Sequence, residues 1–223
     1  AGMAGLLASK ALLDTGIGFD IFDKGGGASS NQGLHYLHDN CGLPLEPAIV
    51  HNYIIGCRDG QLPHEQYSGK LGTPLNNSLV DLPAYSIVYS FQEAYRLLQE
   101  ALGGRVQHLE VESSMLGGLL EEYDLVISTI PLYILFPEAK CDYVEVEAKE
   151  GRPEGLPTYP GGNQVIYNVE PSTNWYRYSK VFGAEWTEVV SGGDFTIKKV
   201  VDTNFRSPDG RVVLLGRWGS WNR

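Results

Sequence analysis

Positive charge is the first thing this chain is short of. Its 223 residues carry 17 Lys+Arg against 27 Asp+Glu, a formal net charge of −10. A nucleic-acid surface needs a basic footprint, so the balance argues against that partner class. Any anionic ligand must be held by individual arginines and helix ends. Long apolar runs are also missing. No stretch approaches the ~20 residues of a membrane span, and no signal-peptide pattern is visible. Cysteine is scarce: Cys41, Cys57 and Cys141 form no C-x-x-C pair and are odd in number. They read as reduced thiols of a cytoplasmic protein, buried in the fold rather than paired in disulfides or gathered on a metal. Repeats and long low-complexity tracts are absent as well, which leaves an ordinary globular composition, 43% hydrophobic and 20% charged. The length suffices for one large domain or two small ones.

What is present is organised around residues 1–24. Ala1-Gly2-Met3-Ala4-Gly5 leads into an apolar helical run containing Leu6, Leu7, Ala11, Leu12 and Leu13, with Gly16 placed to end it. Residues 19–22 form a short apolar strand broken by Asp20, and Asp23 follows. This is the pattern of a dinucleotide-binding βαβ unit without its first strand. Gly2 and Gly5 fit the second and third glycines of G-x-G-x-x-G. A glycine at position 2 lets backbone approach a pyrophosphate, and one at position 5 lets the helix pack close to the sheet. The amides and dipole at the helix start then favour phosphate. Asp23 lies about twenty residues past the glycines, where an acid takes a ribose hydroxyl. The competing reading is an ordinary αβ unit whose glycines serve packing alone. The missing strand leads to the expectation that the chain begins inside a domain of a slightly longer protein.

Further on, residues 25–33 form a polar, glycine-rich loop, and residues 51–56 read as a short strand ended by a hairpin-like turn at Arg58-Asp59-Gly60. Residues 61–83 lack periodicity and are rich in Gly, Pro and Asn, so a loop is expected there. Ser90-Phe91-Gln92-Glu93 is a capping box. Phe91, Ala94, Tyr95, Leu98, Ala101 and Leu102 continue a helical stripe that Gly103-Gly104 ends. Residues 106–111 alternate like a strand, residues 116–123 suggest a short helix, and residues 124–130 read as a buried parallel strand. After Pro137 the segments 143–148, 164–169, 175–182 and 195–202 alternate or run β-branched between turns, the mark of an antiparallel sheet. Residues 211–216 are one more buried strand. Glu121 and Glu122 read as a solvated face.

Four stretches together resemble the FAD-dependent UDP-galactopyranose mutases and their amine-oxidase-like flavoprotein relatives. They are the dinucleotide unit, Gly33-Leu34-His35-Tyr36-Leu37-His38, Trp175-Tyr176-Arg177-Tyr178-Ser179-Lys180, and Gly216-Arg217-Trp218-Gly219-Ser220-Trp221. They are similar to the family's Gly-Pro-His-Ile-Phe-His, Tyr-Thr-Arg-Ile-x-Glu and Gly-Arg-Leu-Gly-x-Tyr segments and occur in the same order. The resemblance implies an α/β protein with a Rossmann-type FAD/NAD(P)-binding domain and an inserted antiparallel β-sheet substrate layer. The expected division is residues 1–50, 84–137 and 204–223 for the FAD domain, and 51–83 and 138–203 for the substrate region.

Carried over residue by residue, the resemblance implies that Gly2, Gly5 and Asp23 hold the AMP half of FAD. Arg217 would contact the pyrophosphate, with Gly216 and Gly219 allowing close approach, and His35 would lie near the isoalloxazine. Arg177 would grip a substrate phosphate. A planar guanidinium suits such paired, charge-assisted bonds. The alternatives are a structural ion pair for Arg217, aromatic stacking for Arg177, and structural roles for His35 and His38. The mutases carry a helical domain and a mobile loop after the histidine segment; here residues 58–85 are too few, show no helical pattern, and hold no counterpart of that loop's tryptophan and arginine. The expected function is therefore an FAD-dependent oxidoreductase acting on a small polar substrate, phosphorylated or not. A mutase-type isomerase of a sugar nucleotide and a non-catalytic flavin-fold protein are the alternatives. No side chain stands out as an obligatory acid or base, no metal is implied, and neither nucleic acid nor membrane is an expected partner.

Overall fold

A computed structural model describes residues 2–25, 36–72, 79–139, 142–202, 205 and 207–215. In chain order the elements are α1 (Met3–Asp14), β1 (Ile21–Asp23), β2 (Tyr36–Leu37), β3 (Pro47–Ile55), α2 (Pro63–Leu71), β4 (Tyr85–Ser90), α3 (Phe91–Leu102) and β5 (Val106–His108). There follow α4 (Leu116–Glu122), β6 (Val126–Ser128), α5 (Leu132–Leu135), β7 (Asp142–Glu150), β8 (Gln164–Asn168), β9 (Trp175–Val181), β10 (Ala184–Val189), β11 (Phe195–Asp202) and β12 (Val212–Leu214). The fold is mixed α/β. Its contacts form two units: Ala1–Gln32, Tyr95–Val144 and Lys199–Arg223 make unit 1, and Gly33–Ala94 and Glu145–Lys198 make unit 2. Residues 33–50 and 84–94, expected with the nucleotide domain, thus group with the sheet region.

Unit 1 is built on two parallel strand pairs. β1 pairs with β5, Ile21 opposite Val106, and β12 pairs with β6, Val212 opposite Val126. Helix α1 ends as its sequence suggested. Gly16 takes φ +73°, its N–H reaching the Leu13 carbonyl and that of Ile17 the Leu12 carbonyl, a geometry that glycine adopts without a Cβ penalty. Leu132, Leu135, Phe136 and Val212 are buried together, with Leu116, Leu120, Val126 and Phe205 packed against them. β1 starts two residues later than expected. Arg105 lies 5.5 Å over the Phe19 ring, and both Asp20 oxygens accept side-chain hydrogen bonds; that position serves contacts outside the ladder.

Unit 2 is dominated by a single sheet in the order β11-β7-β10-β9-β8-β3-β4-β2. The antiparallel expectation needs one correction: β3 and β8 run parallel, His51 opposite Gln164 through Ile55 opposite Asn168. Parallel neighbours need a crossover, and more than a hundred residues separate these two, so no local signal announced the pairing. The β9–β10 hairpin closes through Phe182 (φ +51°) and Gly183 (φ +82°). This is the mirror-image turn that matches strand twist, and the Phe182 N–H is held by Asn163 Oδ1 at 3.0 Å. One sheet face packs Ile166 and Tyr178 against Leu156, Tyr53 and Tyr159.

The expected loop over 61–83 is also corrected, because it contains α2. Pro63 stands in its first turn, where a missing N–H costs nothing, and Gly72 ends it in the left-handed region at φ +63°. The helix has little local amphipathicity; tertiary contacts hold it. The turn at Arg58 exists, with Gln61 N–H on the Arg58 carbonyl at 3.2 Å, but it leads into this helix and not into a hairpin. The cysteine reading changes too. Cys41 and Cys57 are exposed free thiols, both in connecting segments away from the core; Cys141 lies outside the described residues. Among the described residues no helix is long and apolar enough to cross a membrane, and no group of His, Cys, Asp and Glu is arranged to hold a metal.

Candidate functional site

Two of the expected regions fall on described residues. The first is the start of α1. Gly2 is exposed and extended (φ −72°, ψ 167°), and no side chain caps the helix. The first bonded amide is that of Leu6, on the Gly2 carbonyl at 3.1 Å. The preceding amides are the donors that a helix start offers an anion. A Cβ built on Gly2 would meet nothing within 4 Å, so packing inside the protein does not explain this glycine. Gly5 lies one turn on, where its carbonyl accepts the Ser9 hydroxyl at 2.8 Å. Asp23 ends β1, and its carboxylate accepts the Gly25 N–H at 2.9 Å. Part of its capacity thus already organises the following loop. An adenine dinucleotide fits the uncapped helix start better than it fits Asp23. His35, Gly216, Arg217 and Gly219 lie outside the described residues.

An open depression of about 620 Å³ also lies in unit 1, lined by Asp20, Phe22, Gln107, Met115, Glu122 and Tyr123 among others. Its polar groups are largely spent on one another. Gln107 Nε2 and the Tyr123 hydroxyl both donate to Asp20, at 2.9 and 2.7 Å. The hydrogen bond to Asp20 pushes the Tyr123 pKa up to about 12. Phe22 lines this depression, and its β1 neighbour Asp23 projects to the other side of the strand, so the depression is separate from the expected ribose acid.

The second region is the Arg177 face of unit 2. Register across three strands aligns Tyr167 on β8, Arg177 on β9 and Glu188 on β10. Arg177 Nη2 donates to Glu188 Oε1; the Arg177 side chain is 28% exposed and that of Glu188 8%. Burial opposes the Arg177 charge, but Glu188 and the surrounding tyrosines outweigh it and raise the pKa. Tyr67 from α2 meets Tyr167 and Tyr176 edge-on, with centroids 5.8 and 5.9 Å apart. Burial, first of all, raises the pKa values of Tyr36, Tyr67 and Tyr176, which keeps all three neutral. One donor stays unfilled: Arg177 Nε is buried without a hydrogen-bond partner, whereas the Tyr176 hydroxyl is turned to the Glu188 carboxylate, whose charge and hydrogen bond add to burial in raising its pKa. Unfilled buried donors are rare in native interiors and call for a specific explanation.

Lys70 anchors this face. Its ammonium donates to the carbonyls of Asn168 (3.1 Å), Glu170 (2.8 Å) and Trp175 (2.6 Å) and to Thr173 Oγ1 (2.7 Å). It thereby ties α2 to the chain entering β9. Burial lowers its pKa to about 8, with Glu170 acting the other way, so the side chain is charged at neutral pH.

Of the sequence candidates, the structure brings Gly2 and Gly5 onto one helix start, Asp23 to the end of the next strand, and Arg177 into a polar cluster. Sequence reasoning missed Glu188, Tyr67, Tyr167 and Lys70. For Glu188 a signal existed: a two-residue turn at Phe182-Gly183 pairs Arg177 with Glu188 by counting outward. Comparison with protein-family models, with curated proteins and with solved structures gives no match.

Proposed function

We propose that the chain is an FAD-binding flavoprotein, an oxidoreductase acting on a small polar substrate. The observation that carries this reading is the uncapped, glycine-opened start of α1, followed by a strand that ends in Asp23 and pairs in parallel with β5. The unclaimed amides of α1 suit the pyrophosphate, and Asp23 suits a ribose hydroxyl beside its bond to Gly25. When bound, the flavin supplies the hydride-accepting chemistry; the chain's part is binding, orientation and exclusion of water. Arg177, whose side chain is 28% exposed, is the group that the sheet region offers to a substrate; Tyr67, Tyr167 and Tyr176 beside it are buried.

The test is a visible absorption spectrum of the purified chain, followed by titration with FAD while flavin fluorescence is read. Oxidised-flavin bands or saturable binding are expected. Asp23→Ala should weaken binding by about 1.5–3 kcal/mol, the range for a hydrogen bond to a charged group. A colourless protein that binds no added FAD would overturn the reading and leave a non-catalytic protein of this fold.

A further inference from the structure

Helix α4 carries two adjacent glycines, Gly117 and Gly118, among its seven residues. Neither packing nor backbone asks for them: a Cβ built on either would meet nothing within 4 Å, and neither takes a left-handed φ. Glycine inside a helix weakens it. Gly118 borders the open depression of unit 1, and its missing side chain keeps that hollow open. We propose that this depression is a binding site for a small organic cation, a primary ammonium carried on an apolar, aryl-sized body. The proposal is independent of the flavin reading.

Size and lining come first. A volume of about 620 Å³ falls within the range of small-molecule sites. Phe22, Leu109, Met115, Leu119 and Tyr123 line it half-buried, so apolar surface remains in water that a ligand body would cover. The Phe22 and Tyr123 rings meet edge-on, with centroids 6.2 Å apart, and aromatic rings attract a cation as well as an apolar group. Charge comes second. Asp20 and Glu122 are exposed members of the same lining. Both bear on one hydroxyl: Tyr123 donates to Asp20 Oδ2 at 2.7 Å, and Glu122 joins Asp20 in raising its pKa. Asp20 accepts one hydrogen bond on each oxygen, and a carboxylate has about four acceptor sites, so capacity remains. Among the described residues no lysine, arginine or histidine pairs with either acid. In the same unit Arg105 lies over Phe19 and Arg211 pairs with Asp209. The depression therefore joins an apolar floor to two uncompensated negative charges. An anion is repelled, a neutral ligand gains the floor alone, and an organic cation gains both. A second copy of this chain is a poor occupant, because each copy carries a formal net charge of −10 and like charges repel.

The experiment uses the Met115 methyl resonance of the full chain with labelled methionine. The chain has only two methionines, Met3 and Met115, and loss of one signal in Met115→Leu assigns it. Phenethylammonium, phenethyl alcohol and hydrocinnamate are titrated separately at neutral pH, with sodium chloride matching ionic strength. The ammonium should shift the resonance saturably, with affinity at least about fivefold above the alcohol, as expected for exposed ion-pair and cation–π contacts. Hydrocinnamate should do no more than the chloride control. Asp20→Asn with Glu122→Gln should bring the ammonium down to the level of the alcohol. Gly118→Leu should abolish both responses by filling the hollow, without lowering the melting temperature, since leucine favours a helix over glycine. Silence toward the ammonium, equal affinity for the alcohol, or saturation by hydrocinnamate would overturn the proposal. So would an unchanged ammonium affinity in the folded double variant or in Gly118→Leu. A methyl shift that follows protein concentration without ligand would assign the depression to a second copy and overturn it too. If the double variant does not fold, the ranking of the three probes in the parent decides together with Gly118→Leu.

Discussion

The two units place their charges differently. Among the described residues of unit 1 the ion pairs lie at the surface: Lys10–Asp14 along α1, Arg96–Glu100 along α3, Lys24–Glu110 and Arg211–Asp209. Its core cluster is apolar. Unit 2 also has surface pairs, Arg58–Glu170 and Lys180–Glu185, but it buries Gln164, Asn168, Thr187 and Glu188 inside its sheet. Surface pairs are worth little, because water and salt screen them. Buried polar groups cost much when one partner is lost, and the most where the group is charged. Unit 1 is thus expected to tolerate charge changes, while in unit 2 each polar position constrains register and packing. The polar cluster beside Arg177 belongs to the second kind, so its residues are structural ones.

The sharpest way to break the comparison is Arg177→Met, which strands the Glu188 carboxylate. A loss of about 3–5 kcal/mol is expected in urea unfolding. Arg177→Met with Glu188→Leu should recover most of it, since a matched apolar pair leaves no buried charge. A single variant within 1 kcal/mol of the parent, roughly the worth of a surface pair, would erase the contrast between the units.

Next in size is Lys70→Met. It leaves the carbonyls of Asn168, Glu170 and Trp175 without the ammonium, at a cost of about 1–3 kcal/mol for unsatisfied buried acceptors. Hydrogen exchange should rise first in α2 and in the entry to β9. Exchange unchanged there would show that Tyr67 packing alone holds the helix.

A smaller, graded effect comes from alkali. Burial, as the leading cause, raises the pKa values of Tyr36, Tyr67, Tyr176 and Tyr178, the last to about 12. Unfolded tyrosine titrates at about 10, so above that pH the folded state holds more protons than the unfolded state. The contribution of these groups is complete below pH ~10 and is lost as pH rises through the folded values. The last part of the tyrosinate absorbance should appear only as circular dichroism is lost above pH ~10; ionisation of all thirteen tyrosines with the structure intact would contradict the burial. The smallest effect is expected from Lys10→Ala in unit 1. It removes an exposed i,i+4 pair worth about 0.3–0.5 kcal/mol, and a thermal melt should barely move.

Much of the architecture was legible because its signals are short-range. The stop of α1 at Gly16, the Ser90 hydroxyl on the Glu93 N–H at the head of α3, the stop at Gly103 and Gly104, and the strand-rich stretch after Pro137 each depend on a few neighbouring residues. The strands near 126–128 and 212–214 showed themselves as apolar runs, and their parallel pairing fits that pattern, but they are only partly buried, with Val213 exposed. The glycine-opened helix and Asp23 were likewise readable from spacing alone.

Tertiary structure decided the rest. Helix α2 has no local stripe of its own and exists through Tyr67 packed on Tyr167 and Tyr176 and through Lys70 bonded about a hundred residues away. β3 chose β8 across a similar separation. Arg177 was visible as an arginine among aromatics, but the carboxylate that balances it depends on a hairpin turn built from Phe182 and Gly183 without the usual Asn-Gly signal. Local preferences set which segments become helix or strand; pairing and charge balance arise only when distant segments meet, because each partner's free energy depends on the other being there.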